Sequence, residues 1–256
     1  MRQGNFNMQA VVPMTPVVRN LIIVNTVIWF FITVIIEPYF LQAPFFTRYF
    51  GLIPALAVEK FFIWQFVSYM FFHALSITHV LFNMLLLWWL GSELEQRWGS
   101  RFFLLYYMVC GVGAGLIYTL ILTSYQLVIG GSSAWGVPVV GASGAVFGLL
   151  LAYGIIFGER VIHFMMIFPM KAKFFVMILA GIELVTVLNA GVGSDSNVAN
   201  LAHLGGLVSG YIFLFFYTRY YVGRQGIGGT GKSRGRNLKL VVNNEPSKSK
   251  DPKFWN

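Results

Sequence analysis

From Phe102 to Gly158 the chain runs 57 residues without one charged side chain. That is too long for one helix and too apolar for a water-facing surface. It fits two membrane-spanning helices of about 20 residues each with a loop between them. The break falls at Ser124–Val140, where Gly130, Gly131, Ser132, Ser133, Gly136 and Pro138 cluster. Composition agrees: only 11% of the 256 residues are charged, against a soluble norm of about 25%. So few charges cannot solvate a globular surface, so lipid is much of the solvent.

Four more spans follow from the same signal. They are Asn20–Ile36, between Arg19 and Glu37; Ile77–Leu90, inside the uncharged run Gln65–Ser92; Phe174–Gly193, interrupted by Glu183; and Ser196–Thr218. No A-x-A-like cleavage site follows the first, which therefore reads as a retained anchor. The expected fold is an all-α polytopic membrane protein with six transmembrane helices.

Lys and Arg at the helix ends set the orientation. With the N-terminus inside, the inner segments hold sixteen of them and the outer loops only Arg48 and Lys60. Both termini are therefore expected on the cytoplasmic side. The domains read as a cytoplasmic segment 1–19, a membrane domain 20–217 and a basic tail 218–256. Residues 38–64, rich in aromatics and broken by Pro44 and Pro54, read as an interfacial first outer loop in the outer leaflet.

The net charge of +9 divides into +2 for residues 1–217 and +7 for the tail. The basicity therefore belongs to a disordered arm attracted to anionic lipid, not to a nucleic-acid surface, and no nucleic-acid partner is expected. Gly226–Ser233 spells G-x-x-x-x-G-K-S, but it follows a membrane helix and lacks the strand and helix that aim a phosphate loop. It is taken as a glycine linker that binds no nucleotide. The single Cys110 forbids an intrachain disulfide. The histidines have no Cys or carboxylate at ligand spacing, so no metal and no organic cofactor is expected. His73 near the interface and His163 in a short inner loop read as incidental.

Polar side chains inside apolar spans are costly and mark function by default. The second helix carries His79 and Asn83, four apart on one face. The fourth opens with Gly141-Ala142-Ser143-Gly144, and the sixth carries His203 in Ala202-His203-Leu204-Gly205-Gly206. Each sits in the outer half of a helix that starts outside, so they can meet at one depth. A serine hydroxyl needs a base to become a nucleophile, and histidine is the usual one. The oxyanion formed on an attacked carbonyl needs donors, for which Asn83, His79 and the Ser143 amide are suitable. Gly141 and Gly144 let backbone approach substrate. His203, Gly206 and Gly210 share one face, on which another helix can come close. Phe147, one turn below Ser143, offers an aromatic face to the His203 ring.

These residues resemble the rhomboid intramembrane serine proteases. The resemblance rests on G-x-S-G at Gly141–Gly144, A-H-x-x-G-x-x-x-G at Ala202–Gly210, H-x-x-x-N at His79–Asn83 and Gly91-x-x-x-Glu95-x-x-x-Gly99. It covers roughly residues 20–217 and implies a six-helix rhomboid-like bundle with a Ser143–His203 dyad and no acidic third member. It further implies oxyanion donors at His79 and Asn83, an aromatic support at Phe147 and a structural glutamate at Glu95 that caps the second helix from inside. The implied activity is cleavage of membrane-protein substrates within or just above a transmembrane helix, near the outer face. One departure is Trp64-Gln65, where the family often has Trp-Arg. Rival readings are an inactive rhomboid-like binder of membrane helices and a small polytopic transporter. Intact Ser143 and His203 argue against the first, and the absence of an internal repeat against the second. Glu183 is open between a gating role and a hydrogen-bonded structural carboxyl, the latter preferred. The absence of an extra N-terminal domain and of targeting signals fits a prokaryotic inner membrane.

Overall fold

The computed structural model describes residues 13–164 and 168–226. The expected inner segment is thus described only from Pro13. The expected tail beyond Gly226, with the rest of the G-x-x-x-x-G-K-S run, lies outside the described residues.

Helix α1 (Pro16–Ile28) continues into a wider π-helical stretch, Trp29–Leu41, for 26 continuous residues. Pro16 opens it, where a missing N–H leaves nothing unpaired. Two short helices, α2 (Phe45–Phe50) and α3 (Pro54–Glu59), precede α4 (Gln65–Ser68) and a 3-10 turn, Tyr69–Phe71. The longer helices are α5 (Ile77–Trp98), α6 (Ser100–Val128), α7 (Ser143–Ile156), α8 (Ala172–Ala190) and α9 (Val198–Gly226).

Among the described residues five helical segments are long and apolar enough to cross a bilayer, and α7, the fourth expected span, is shorter. Its 14 residues extend about 21 Å at 1.5 Å per residue, against a hydrocarbon core of about 30 Å. A helix of that length would not cross the layer by itself.

Two expectations need correction. The first helix does not end before Glu37: it runs through to Leu41, and the buried Glu37 carboxylate accepts from the Thr47 amide at 2.6 Å and the Thr47 hydroxyl at 2.8 Å. A charge satisfied by its own chain need not mark a membrane boundary. Nor is the fold purely helical. Strands β1 (Val161–Phe164) and β2 (Phe168–Lys171) form an antiparallel hairpin between α7 and α8, with Val161 opposite Lys171 and Phe164 opposite Phe168. His163, expected in a loop, lies on β1.

The described residues up to Thr218 form one packed unit. Helix α7 lies against α5, α6 and α8. Helix α6 buries a stripe of Phe103, Tyr107, Ala114 and Tyr118, with Tyr106 and the free thiol of Cys110 beside it. By contrast α8 leaves Met177, Ile178, Ile182, Val185 and Leu188 exposed, a face suited to lipid.

Glu95 joins the two ends of this arrangement. Its carboxylate, at the end of α5, accepts from the Val17 and Val18 amides at 3.1 and 3.0 Å, from the Ser100 hydroxyl at 2.5 Å and from the Thr15 hydroxyl. It therefore caps the first helix, where an anion is favoured, instead of the second helix that carries it. Glu95→Ala strands buried donors at about 1–3 kcal/mol each, and is expected to lower the melting temperature of the detergent-solubilised protein clearly, as read by tryptophan fluorescence.

Candidate active site

The turn before α7 is fixed from outside. Leu52 and Val139 exchange two backbone bonds of 2.9 Å in an isolated bridge, and the Gly141 amide donates to the Tyr69 carbonyl at 2.9 Å. The Ala142 amide points at Nε2 of His73, 3.5 Å away. Gly141 adopts φ +131°, a conformation that favours glycine. Ser143 is then the first residue of α7, so its own amide has no intrahelical partner.

A Cβ on Gly141 would stand 3.1 Å from Nε2 of His79 and 3.6 Å from Oγ of Ser143, so both groups border the space that this glycine leaves open. Nδ1 of His79 accepts the Ala74 amide at 3.2 Å. In a neutral ring this leaves the proton on Nε2, aimed at the serine turn. Asn83 is buried one turn along α5 and donates one amide hydrogen to the His79 carbonyl at 2.8 Å. Its second amide hydrogen remains available.

On the other side, the His203 ring stacks on Phe147 with centroids 4.2 Å apart and planes 9° from parallel. Phe147 is four residues after Ser143, on the same face of α7. Helices α7 and α9 meet there through backbone. A Cβ on Gly206 would lie 2.0 Å from the Gly144 carbonyl oxygen, and one on Gly144 would lie 3.7 Å from that of Ala202. No hydrogen bond joins Ser143 to His203, a bond that often tightens only when substrate binds. Ser143, His79 and His203 are half-buried, open enough to be reached.

Ser143, His203, His79, Phe147, Gly141 and Gly144 are thus gathered, with Asn83 a turn away. Glu95 is not among them and serves the first helix.

Three residues make contacts that sequence reasoning did not assign. His73, expected to be incidental, is fully buried with its ring 5.3 Å from that of His79. Burial, and then the neighbouring His79, push its imidazole down to about 3, so it is neutral at physiological pH. Gln65, at the Trp64-Gln65 departure, is buried and organises the first outer segment: its carbonyl accepts the Ile53 amide at 3.0 Å and its amide donates to the Tyr49 carbonyl at 3.1 Å. Glu183 reaches into the site from α8. Its Oε1 lies 3.0 Å from Nδ1 of His203, and its Oε2 accepts from the Asn200 side chain at 2.5 Å. The usable signal was a carboxyl in mid-span, which by default has a partner worth naming.

Residues 60–220 match the family profile described as "Rhomboid domain". The chain is 32% identical over 163 residues to RHOMBOID-like protein 1 of Arabidopsis thaliana, covering 64% of this chain and 36% of that protein. It is 30% identical over 151 residues to Rhomboid protease GluP of Bacillus subtilis, covering 58% of this chain and 25% of that protein. Against Rhomboid protease GlpG of Yersinia pseudotuberculosis it is 30% identical over 159 residues, covering 61% and 49%. The matched stretches are thus a quarter to about half of these relatives' lengths.

Proposed function

Because the chain belongs to the rhomboid family and is an integral multi-pass membrane protein, we propose that it is an intramembrane serine endopeptidase acting through Ser143 and His203. The observation that carries this reading is the placement of His203 on Phe147, one turn from a serine that opens a helix beside the His79 imidazole.

In the first step Oγ of Ser143 attacks the scissile carbonyl while Nε2 of His203 takes its proton. The new oxyanion lies among the Ser143 amide, Nε2–H of His79 and the Asn83 amide, donors of a kind whose single loss costs about 10²–10³ in kcat. His203 then gives the proton to the leaving amine, which departs and leaves an ester on Ser143. Water, its proton taken by His203, hydrolyses the ester and frees the serine. No metal or organic group enters these steps.

In this reading six crossings put both termini on one side, the Lys and Arg at the helix ends make it the cytoplasmic one, and the first outer segment after Leu41 lies in the outer leaflet. The short α7 then puts Ser143 below the outer surface, at the depth of a substrate's helix end. A helical peptide bond has its carbonyl occupied, so the substrate must unwind locally, which favours small residues and glycine near the cut. Membrane proteins with a transmembrane helix are the substrates, and the bilayer is their shared solvent.

The test is to expose the purified full chain to a fluorophosphonate and to a reporter with a glycine-containing transmembrane segment. The expected result is one phosphonylated peptide carrying Ser143, found by mass spectrometry, together with cleavage in the outer half of the reporter helix. Binding of the reporter with neither labelling nor cleavage would favour an inactive helix binder.

A further inference from the structure

Glu183 lies in mid-α8, where a carboxyl in apolar surroundings is expensive unless it is paired. It is paired twice. Side-chain exposure is 13% for Glu183 and 16% for His203, so the bond between them is largely shielded from solvent. One oxygen faces Nδ1 of His203 at 3.0 Å and the other is held by Asn200. A carboxylate only accepts hydrogen bonds, so opposite an ionised Glu183 the Nδ1 of His203 must carry the proton, which leaves the lone pair on Nε2. Phe147 fixes the plane of the ring by stacking. That contact leaves open which nitrogen carries the proton, and Glu183 decides it.

We propose that Glu183 is a positioning residue for His203, an acidic third member that the family resemblance does not imply. Through Nδ1 it holds the imidazole in the tautomer whose Nε2 accepts the Ser143 proton, and it stabilises the imidazolium that results. Asn200 keeps the carboxylate turned toward the ring. The catalytic consequence rests on the protease reading, whereas the tautomer is a property of the resting protein and can be measured without any substrate.

The discriminating variant is Glu183→Gln. Glutamine has one oxygen and one NH2 where two oxygens now accept, and in either orientation the charge that stabilises the imidazolium is gone. Where Asn200 keeps donating to the oxygen, as it does to Oε2 now, the glutamine NH2 faces Nδ1, and the proton moves to Nε2, which then cannot receive one from serine. In the full chain in detergent, kcat on the transmembrane reporter is expected to fall about 10²-fold, with KM within about threefold and an unchanged melting temperature. Glu183→Asp, which keeps the carboxylate, is expected to recover at least about a tenth of wild-type kcat.

Nitrogen-15 NMR of histidine-labelled protein supplies the second readout, with the His203 signal identified by its loss in His203→Ala. The wild type is expected to be protonated at Nδ1, and Glu183→Gln is expected to lose that signature. Wild-type kcat in Glu183→Gln, or a wild type in which Nδ1 of His203 carries no proton, would overturn the proposal. So would an equal loss in Glu183→Asp accompanied by a lower melting temperature, which is the mark of a purely structural group. An inverted tautomer in a protein whose wild type neither labels nor cleaves supports the positioning role and sinks the protease reading alone.

Discussion

Ser143→Ala is expected to abolish reporter cleavage and fluorophosphonate labelling while leaving the melting temperature where it was. The proposed nucleophile opens α7, and alanine is at least as good a helix residue as serine. The hydroxyl makes no hydrogen bond to His203 that the fold would miss, and it is only half-buried. What the variant removes is the atom that forms the acyl bond. Loss of a nucleophile from a serine-histidine set lowers kcat by about 10⁶ in a well-studied soluble example, so activity should fall below detection in any ordinary assay. Cleavage that persists in Ser143→Ala would assign the chemistry elsewhere, and labelling that persists would place the reactive serine at another position.

Gly206→Ala should be the more destructive change, although it adds only a methyl group. The added Cβ would sit 2.0 Å from the Gly144 carbonyl oxygen and 2.8 Å from its carbon. Both atoms are backbone of α7, so no side chain can swing aside and the two helices must separate. Overpacking costs about 1–3 kcal/mol where side chains can adjust, and here they cannot. Melting temperature and activity are therefore expected to fall together, in contrast to Ser143→Ala. The control is Gly181→Ala in α8, where an added Cβ meets nothing within 4 Å. There the gain in helix propensity, up to about 1 kcal/mol, should raise stability slightly. Comparable melting curves for the two variants would contradict the backbone seam between α7 and α9.

Local patterns in the sequence anticipated much of this arrangement. Charge-free runs located the helices because apolar length is what a bilayer demands, and the glycine-serine-proline cluster located the break before α7. The start at Ser143 was readable because glycine and a small polar residue punctuate helices. What escaped depends on partners distant in sequence. Glu37 marked the end of a span only while its partner Thr47 was unknown. His73 sounded like an interfacial residue until the packing buried it against His79 and the serine turn. Glu183 and His203 are 20 residues apart on different helices, and their meeting depends on the rotation of both, which periodicity alone leaves open. The hairpin was missed because four-residue strands produce too few alternations to stand out from a loop.

The capping of α1 by Glu95 also orders events during synthesis. Helix α1 leaves the ribosome with the Val17 and Val18 amides unclaimed, and the carboxylate that claims them follows 77 residues behind Val18. Docking α1 onto α5 can thus close the first long loop before Ser143, Glu183 or His203 has been translated. The contact that anchors α1 is thus complete in the chain before the residues proposed as nucleophile, base and positioning carboxylate have been made.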